Sequence, residues 1–186
     1  MKKIGSVLLL SFLSFYFLIA STNVNEGNDT ENSKSSINWM TFEEAMEKNK
    51  TEPRKIFIDV YTDWCGWCKV MDKKTFSNPV IAEYMNDKYY AVKLDAEQKE
   101  DIEFNGTTFK FVAQGKRGYH ELAAALLNGK LSYPTVVFMD EQNRILQPIP
   151  GFQKADQFDR IMKFFGEDSY KDQSWKDFQE SYTSPF

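Results

Sequence analysis

The chain contains only two cysteines, Cys65 and Cys68, and they lie three positions apart. Thiols so close cannot staple separate parts of a fold, so a hydrophobic core must hold the chain together. The composition supplies one. Of 186 residues, 42% are hydrophobic and 16% aromatic, including 16 Phe and 9 Tyr, which is apolar surface enough for one compact domain without cross-links or metals. The role of the cysteine pair is therefore local.

The N-terminus reads as an address. Met1-Lys2-Lys3 is basic and Ile4 to Ala20 is nearly all apolar, so residues 1–20 fit an export signal. The run is also close to the shortest that spans a bilayer, which leaves an uncleaved membrane anchor as the alternative. Residues 21–36 are polar, without apolar periodicity, and read as a disordered linker. Residues 37–186 form the expected domain. Lys plus Arg total 23 against 27 Asp plus Glu, a net charge of −4. The cations are interleaved with acids, as in Glu47-Lys48, which argues against a nucleic-acid partner.

Within the domain, Thr41-Phe42-Glu43-Glu44 has the form of a capping box opening a helix to about Asn49. Ile56 to Tyr61 is β-branched, aromatic and almost continuously apolar, as a central strand covered on both faces would be. Cys65 begins a helix. Asn78-Pro79 caps another, running to Asn86, and Tyr89 to Leu94 is a second strand. Thr135 to Met139 and Arg144 to Leu146 flank a turn at 140–143, and Lys154 to Phe165 carries Phe158, Ile161, Met162 and Phe165 on one helical face. Gly118 to Leu127 looks helical, after a cluster of Phe104, Phe109 and Phe111, and Trp175 and Phe178 suggest a short terminal helix. This order of elements indicates an α/β domain built on a mixed sheet.

In an exported chain, a lone Cys-x-x-Cys pair is a redox couple, half of a metal site or an inert local disulfide. Zinc takes four N or S ligands, and His120 is the only further candidate; it reads instead as a helix-surface or pocket-lining residue. No metal is expected, and no cofactor beyond the Cys65–Cys68 disulfide itself. The redox reading has a physical basis: amides at a helix N-terminus stabilise a thiolate at Cys65, making it the nucleophile, and Cys68, one turn on and expected to be more buried, resolves the mixed disulfide.

Trp64-Cys65-Gly66-Trp67-Cys68-Lys69 resembles the reactive centre of the thioredoxin superfamily, and the likeness extends over most of residues 54 to 166. The resemblance implies the thioredoxin-like fold, a central mixed β-sheet flanked by helices. It implies that Asp59, six positions before Cys65, is a buried carboxylate managing the proton of the second thiol, with Lys93 as its partner. It makes Tyr133-Pro134 the cis-proline turn beside the disulfide, and Gly151 the glycine before the last helix. Trp64, Gly66, Trp67, Tyr133 and Pro134 would then contact substrate.

Two features depart from typical thioredoxins: Trp67 stands where proline is usual, and Tyr133 is bulky. The 69 positions from Cys65 to Pro134 exceed the minimal spacing by roughly two dozen, so an inserted element, about residues 96–131, is expected to border the active face. The layout resembles bacterial envelope proteins related to the soluble domains of thiol:disulfide interchange proteins. It implies a periplasmic or envelope reductase acting on protein or peptide disulfides, supplied with electrons by a membrane thiol:disulfide reductase. A disulfide oxidase or isomerase using the same residues, and a non-catalytic binding module, are the alternatives.

Overall fold

The computed structural model describes residues 36–186; the segment read as a signal or anchor (1–20) and nearly all of the linker (21–35) lie outside the described residues. A two-residue strand, β1 (Trp39–Met40), leads into helix α1 (Phe42–Thr51). The capping box is formed in both directions: the Glu44 amide donates to Thr41 Oγ1 at 3.1 Å, and the Thr41 amide donates to the Glu44 carboxylate at 2.8 Å. Strand β2 (Lys55–Tyr61) follows, then α2 (Gly66–Met71), which continues as a π-helical turn over Asp72–Phe76. Asn78 accepts the Val80 amide and Pro79 fills the first position of α3 (Pro79–Lys88), which runs into β3 (Tyr89–Asp95).

The expected insertion contains two hairpins: β4 (Ile102–Phe104) pairs with β5 (Thr107–Phe109), and β6 (Phe111–Gln114) with β7 (Arg117–His120). Helix α4 (Glu121–Leu126) returns the chain to the sheet. There β8 (Thr135–Met139) and β9 (Ile145–Pro150) form the terminal hairpin, followed by α5 (Ala155–Gly166), a single 3-10 turn and α6 (Trp175–Ser181). Strand β9 runs past the Leu146 end expected for it. Its prolines, Pro148 and Pro150, are tolerated because the strand lies at the sheet edge.

The sheet is ordered β1-β3-β2-β8-β9, with β1, β3 and β2 mutually parallel and β8 and β9 antiparallel. Both faces are covered, so β2 is apolar almost throughout. Phe57, Ala91 and Phe138 pack against Met71, Phe76, Ile81, Met85, Phe158 and Met162, from α2 with its π turn, α3 and α5. Ile56, Ile58 and Val60 face Phe42, Ala45, Leu122 and Leu126, from α1 and α4. Side chains alternate along a strand, so Asp59 shares the face of Phe57. That face is the one α2 covers.

One expected element is corrected. Gly118 to His120 belong to β7, and the helix begins only at Glu121. A Cβ on Gly118 would lie 2.2 Å from the Phe111 ring and 2.4 Å from the Val112 carbonyl, so the close strand pairing is what requires glycine there. His120 is not on a helix surface or a pocket wall. It is fully buried, its Nδ1 accepting the Leu122 amide at 3.2 Å to cap α4 and its Nε2 lying 3.1 Å from the Glu100 carbonyl, to which it donates. Replacing His120 with alanine orphans both partners and should cost about 2 kcal/mol, read as a lowered midpoint in urea unfolding.

Candidate active site: a disulfide at the start of helix α2

Cys65 occupies the cap position of α2, where the chain is still extended; its amide donates to the Thr62 carbonyl at 3.0 Å, and its Sγ accepts the Cys68 amide at 3.1 Å. The two cysteines are joined, their Cα atoms 5.3 Å apart. Cys65 is 5% exposed and Cys68 3%, so burial separates them in the expected order but only slightly. The stronger distinction is the amide aimed at the Cys65 sulfur, which would stabilise a thiolate there. A Cβ on Gly66 would meet nothing within 4 Å, leaving open space beside the disulfide.

Beneath α2, Asp59 and Lys93 are register partners across β2 and β3, and Lys93 Nζ donates to Asp59 Oδ2 at 2.6 Å. Asp59 is 1% exposed and its other oxygen has no hydrogen-bond partner. Burial raises its carboxyl from 3.8 to about 6, with the Lys93 cation opposing the rise. Lys93 also donates to Asp72, on the π turn, and its ammonium sits 4.8 Å from the Trp39 ring and 5.1 Å from that of Tyr61. Burial pulls Lys93 down, but the two carboxylates outweigh it and hold the lysine above its ordinary value.

The Tyr133-Pro134 bond is cis, and the Gly151 amide donates to the Pro134 carbonyl at 2.8 Å from a left-handed conformation, φ 90°. Tyr133, Pro134, Gly151, Phe152 and Trp67 line a groove of about 220 Å³. Trp67 is 63% exposed and packs on Phe152, ring centroids 5.5 Å apart. Trp64, 49% exposed, meets Tyr133 edge-on at 5.9 Å, and the guanidinium of Arg117 lies 4.2 Å over its ring. Burial, with Glu97 and Asp95 nearby, pushes the Tyr133 phenol up to about 12.

The nine candidate site residues read from the sequence, together with Gly151, therefore gather at this one end of the sheet, in the loop that carries the disulfide, a buried charge pair and the cis-proline turn. Sequence reasoning missed four that touch them. Asp72 lies four residues beyond Cys68, one helical turn, and that spacing could have found it. Trp39, Phe152 and Arg117 reach the site only through tertiary packing. Among the described residues no three His, Cys, Asp or Glu side chains gather as metal ligands would.

This fold and this disulfide define a member of the thioredoxin superfamily. Residues 29–163 match the family model Thioredox_DsbH, described as a protein of unknown function, DUF255, and the chain belongs to that family. An uncharacterized protein of Caenorhabditis elegans is 31% identical over 90 residues, 48% of this chain and 12% of that protein. The thiol:disulfide interchange protein DsbD of Actinobacillus pleuropneumoniae is 26% identical over 166 residues, 84% of this chain but 25% of its own length. The chain thus spans a small part of these relatives.

Among solved structures, a DsbH oxidoreductase superposes with a TM-score of 0.51 at 18% identity, over 74% of this chain and 87% of that one. A thioredoxin from Thermus thermophilus gives 0.52 at 15%, over 79% and 98%. These likenesses establish the fold.

Proposed function

We propose that the chain is a thiol:disulfide oxidoreductase that reduces disulfides of exported proteins through Cys65 and Cys68. The observation that carries this reading is the oxidised pair at the start of α2, on the sheet face that holds the Asp59–Lys93 pair. In the reductive half-cycle the Cys65 thiolate attacks one sulfur of a substrate disulfide. The substrate S–S bond breaks, one substrate thiolate leaves and a mixed disulfide forms. Cys68 then gives its proton to Asp59 and attacks the Cys65 sulfur, releasing the second substrate thiolate and closing the Cys65–Cys68 bond. A carboxyl resting at about 6 can take that proton near neutral pH and return it.

Two electrons leave the protein in each cycle, so a dithiol donor must restore them. Similarity to DsbD, a thiol:disulfide interchange protein, and the apolar run of residues 4–20 support a membrane thiol:disulfide reductase in that role and a periplasmic or envelope location. Trp64, Gly66, Trp67, Tyr133 and Pro134 form the substrate-facing surface, Trp67 and Tyr133 walling the groove.

Equilibrating the pair with glutathione or dithiothreitol tests the direction of electron flow. A reductase should give a potential toward about −270 mV, as thioredoxin does; a value near about −120 mV, that of strong oxidants, would reassign the chain as an oxidase.

A further inference from the structure

We propose that Arg117, carried to the redox site by the β6–β7 hairpin, is a specificity-determining residue that selects disulfide substrates bearing a carboxylate beside the target cysteine. The inference rests on the thiol-exchange reading above and deepens it.

The hairpin holds Arg117 in place from its base upward. The His120 amide donates to the Ala96 carbonyl at 2.6 Å, the Glu121 amide to the Lys110 carbonyl at 2.9 Å, and the buried His120 ring ties the same junction to Glu100 and α4. From the Phe111–His120 pair the ladder climbs to Gln114–Arg117, the last pair before the turn at Gly115 and Lys116. Gly118, beside Arg117, permits the strands to approach so closely. The arginine is thus presented at the tip of a short, well-anchored arm.

There its guanidinium lies over the ring of Trp64, the residue preceding Cys65 and the edge-on neighbour of Tyr133. A contact with the π face of Trp64 uses none of the guanidinium N–H donors, which stay available for a ligand. The other three arginines of the chain are already engaged: Arg54 with Glu52 and the Asn86 carbonyl, Arg144 with Asp140, and Arg160 with the Tyr182 carbonyl. Arg117 is exposed and makes no ion pair or side-chain hydrogen bond among the described residues.

The charges around it make this cation matter. Asp63 adjoins Trp64 in sequence. Burial raises Asp95, with Asp63 and Glu97 adding repulsion and with the Glu97 amide that donates to it and the Lys99 cation opposing the rise; Asp95 and Glu97 both belong to the surroundings of Tyr133. Without Arg117 the rim beside Trp64 would repel an acidic substrate; with it, a carboxylate next to the substrate disulfide meets a planar donor set suited to it.

The test uses the full-length chain, reduced and freed of reductant, in single-turnover reactions with disulfide-linked peptides that differ only in Glu, Gln or Lys beside the target cysteine. The wild type should reduce the Glu peptide about fivefold to tenfold faster than the Lys peptide at low salt, the ratio shrinking as salt is raised. Arg117→Gln should bring the ratio to one or below, Arg117→Glu should invert it, and Arg117→Lys should keep a smaller preference. Equal rates for the Glu and Lys peptides with the wild type, or an unchanged ratio in Arg117→Gln, overturn the proposal. Hydroxyethyl disulfide, small and neutral, is the control for the parent reading. If the wild type reduces neither it nor any peptide, thiol exchange itself fails and the selector fails with it.

Discussion

Cys68→Ala should turn a catalyst into a trap. The nucleophile keeps its place at the start of α2, so attack on a substrate disulfide proceeds, but no thiol three residues away remains to resolve the product. Intramolecular attack enjoys an effective concentration that external thiols cannot match, about 10⁵ M or more for well-oriented groups, so turnover should fall at least about a thousandfold. A covalent adduct, one substrate per chain, should accumulate on non-reducing gels and vanish on adding dithiothreitol. Cys65→Ala should show neither turnover nor adduct, because Cys68 is buried within α2 and lacks the amide that the Cys65 sulfur receives. A Cys65→Ala chain that retained full function would show that the fold serves as a binding module with incidental cysteines.

The parts of this site that are legible in the sequence owe their legibility to local rules. The six-residue run Ile56 to Tyr61, apolar but for one acid, two thiols a helical turn apart and a capping box each declare themselves within ten residues. The resemblance picks out Asp59 by its position six residues before Cys65, and the alternation of β2 places it on the face that α2 covers. The 96–131 region resists reading for the opposite reason. Its strands are three or four residues long, too short for a period of two to show, and Gly118 and Tyr119 join a run of helix formers from Leu122 onward. Only the pairing with Phe111 and Val112 decides that they are strand. Arg117 gives no local signal, since its place over the Trp64 ring depends on where the hairpin folds back. Asp72 is hidden differently: its helix is anticipated, but its reach to Lys93 depends on how the helix lies across β3.

Asp59→Asn should make the protein more stable and less active. In the folded chain the carboxyl rests at about 6, against the ordinary aspartate value of 3.8 that it regains on unfolding, so the folded state binds this proton the more tightly. The contribution of this carboxyl to stability should therefore be fully present below pH 4, be lost as pH rises through the window from about 4 to 6, and stay constant above it. The difference between 3.8 and about 6 corresponds to ~3 kcal/mol at neutral pH, an upper figure because Lys93 and its neighbours can relax around the charge. Asparagine abolishes that loss. It does not strand the lysine, since Lys93 keeps its contact with Asp72, on the half-exposed surface of the π turn. The difference in unfolding free energy between variant and wild type, followed by urea melts from pH 4 to 8, should grow with pH to about 1–3 kcal/mol. Over the same range the variant should resolve mixed disulfides about a hundredfold more slowly, having lost the group that accepts the Cys68 proton. A variant no more stable than wild type at pH 8 would mean that the Lys93 pairing fully offsets the burial of the acid. A gain in stability without a slower resolving step would leave Asp59 a buried ion pair and nothing more. If both effects appear together, a carboxyl that burdens the folded state is retained because proton transfer between the thiols requires it.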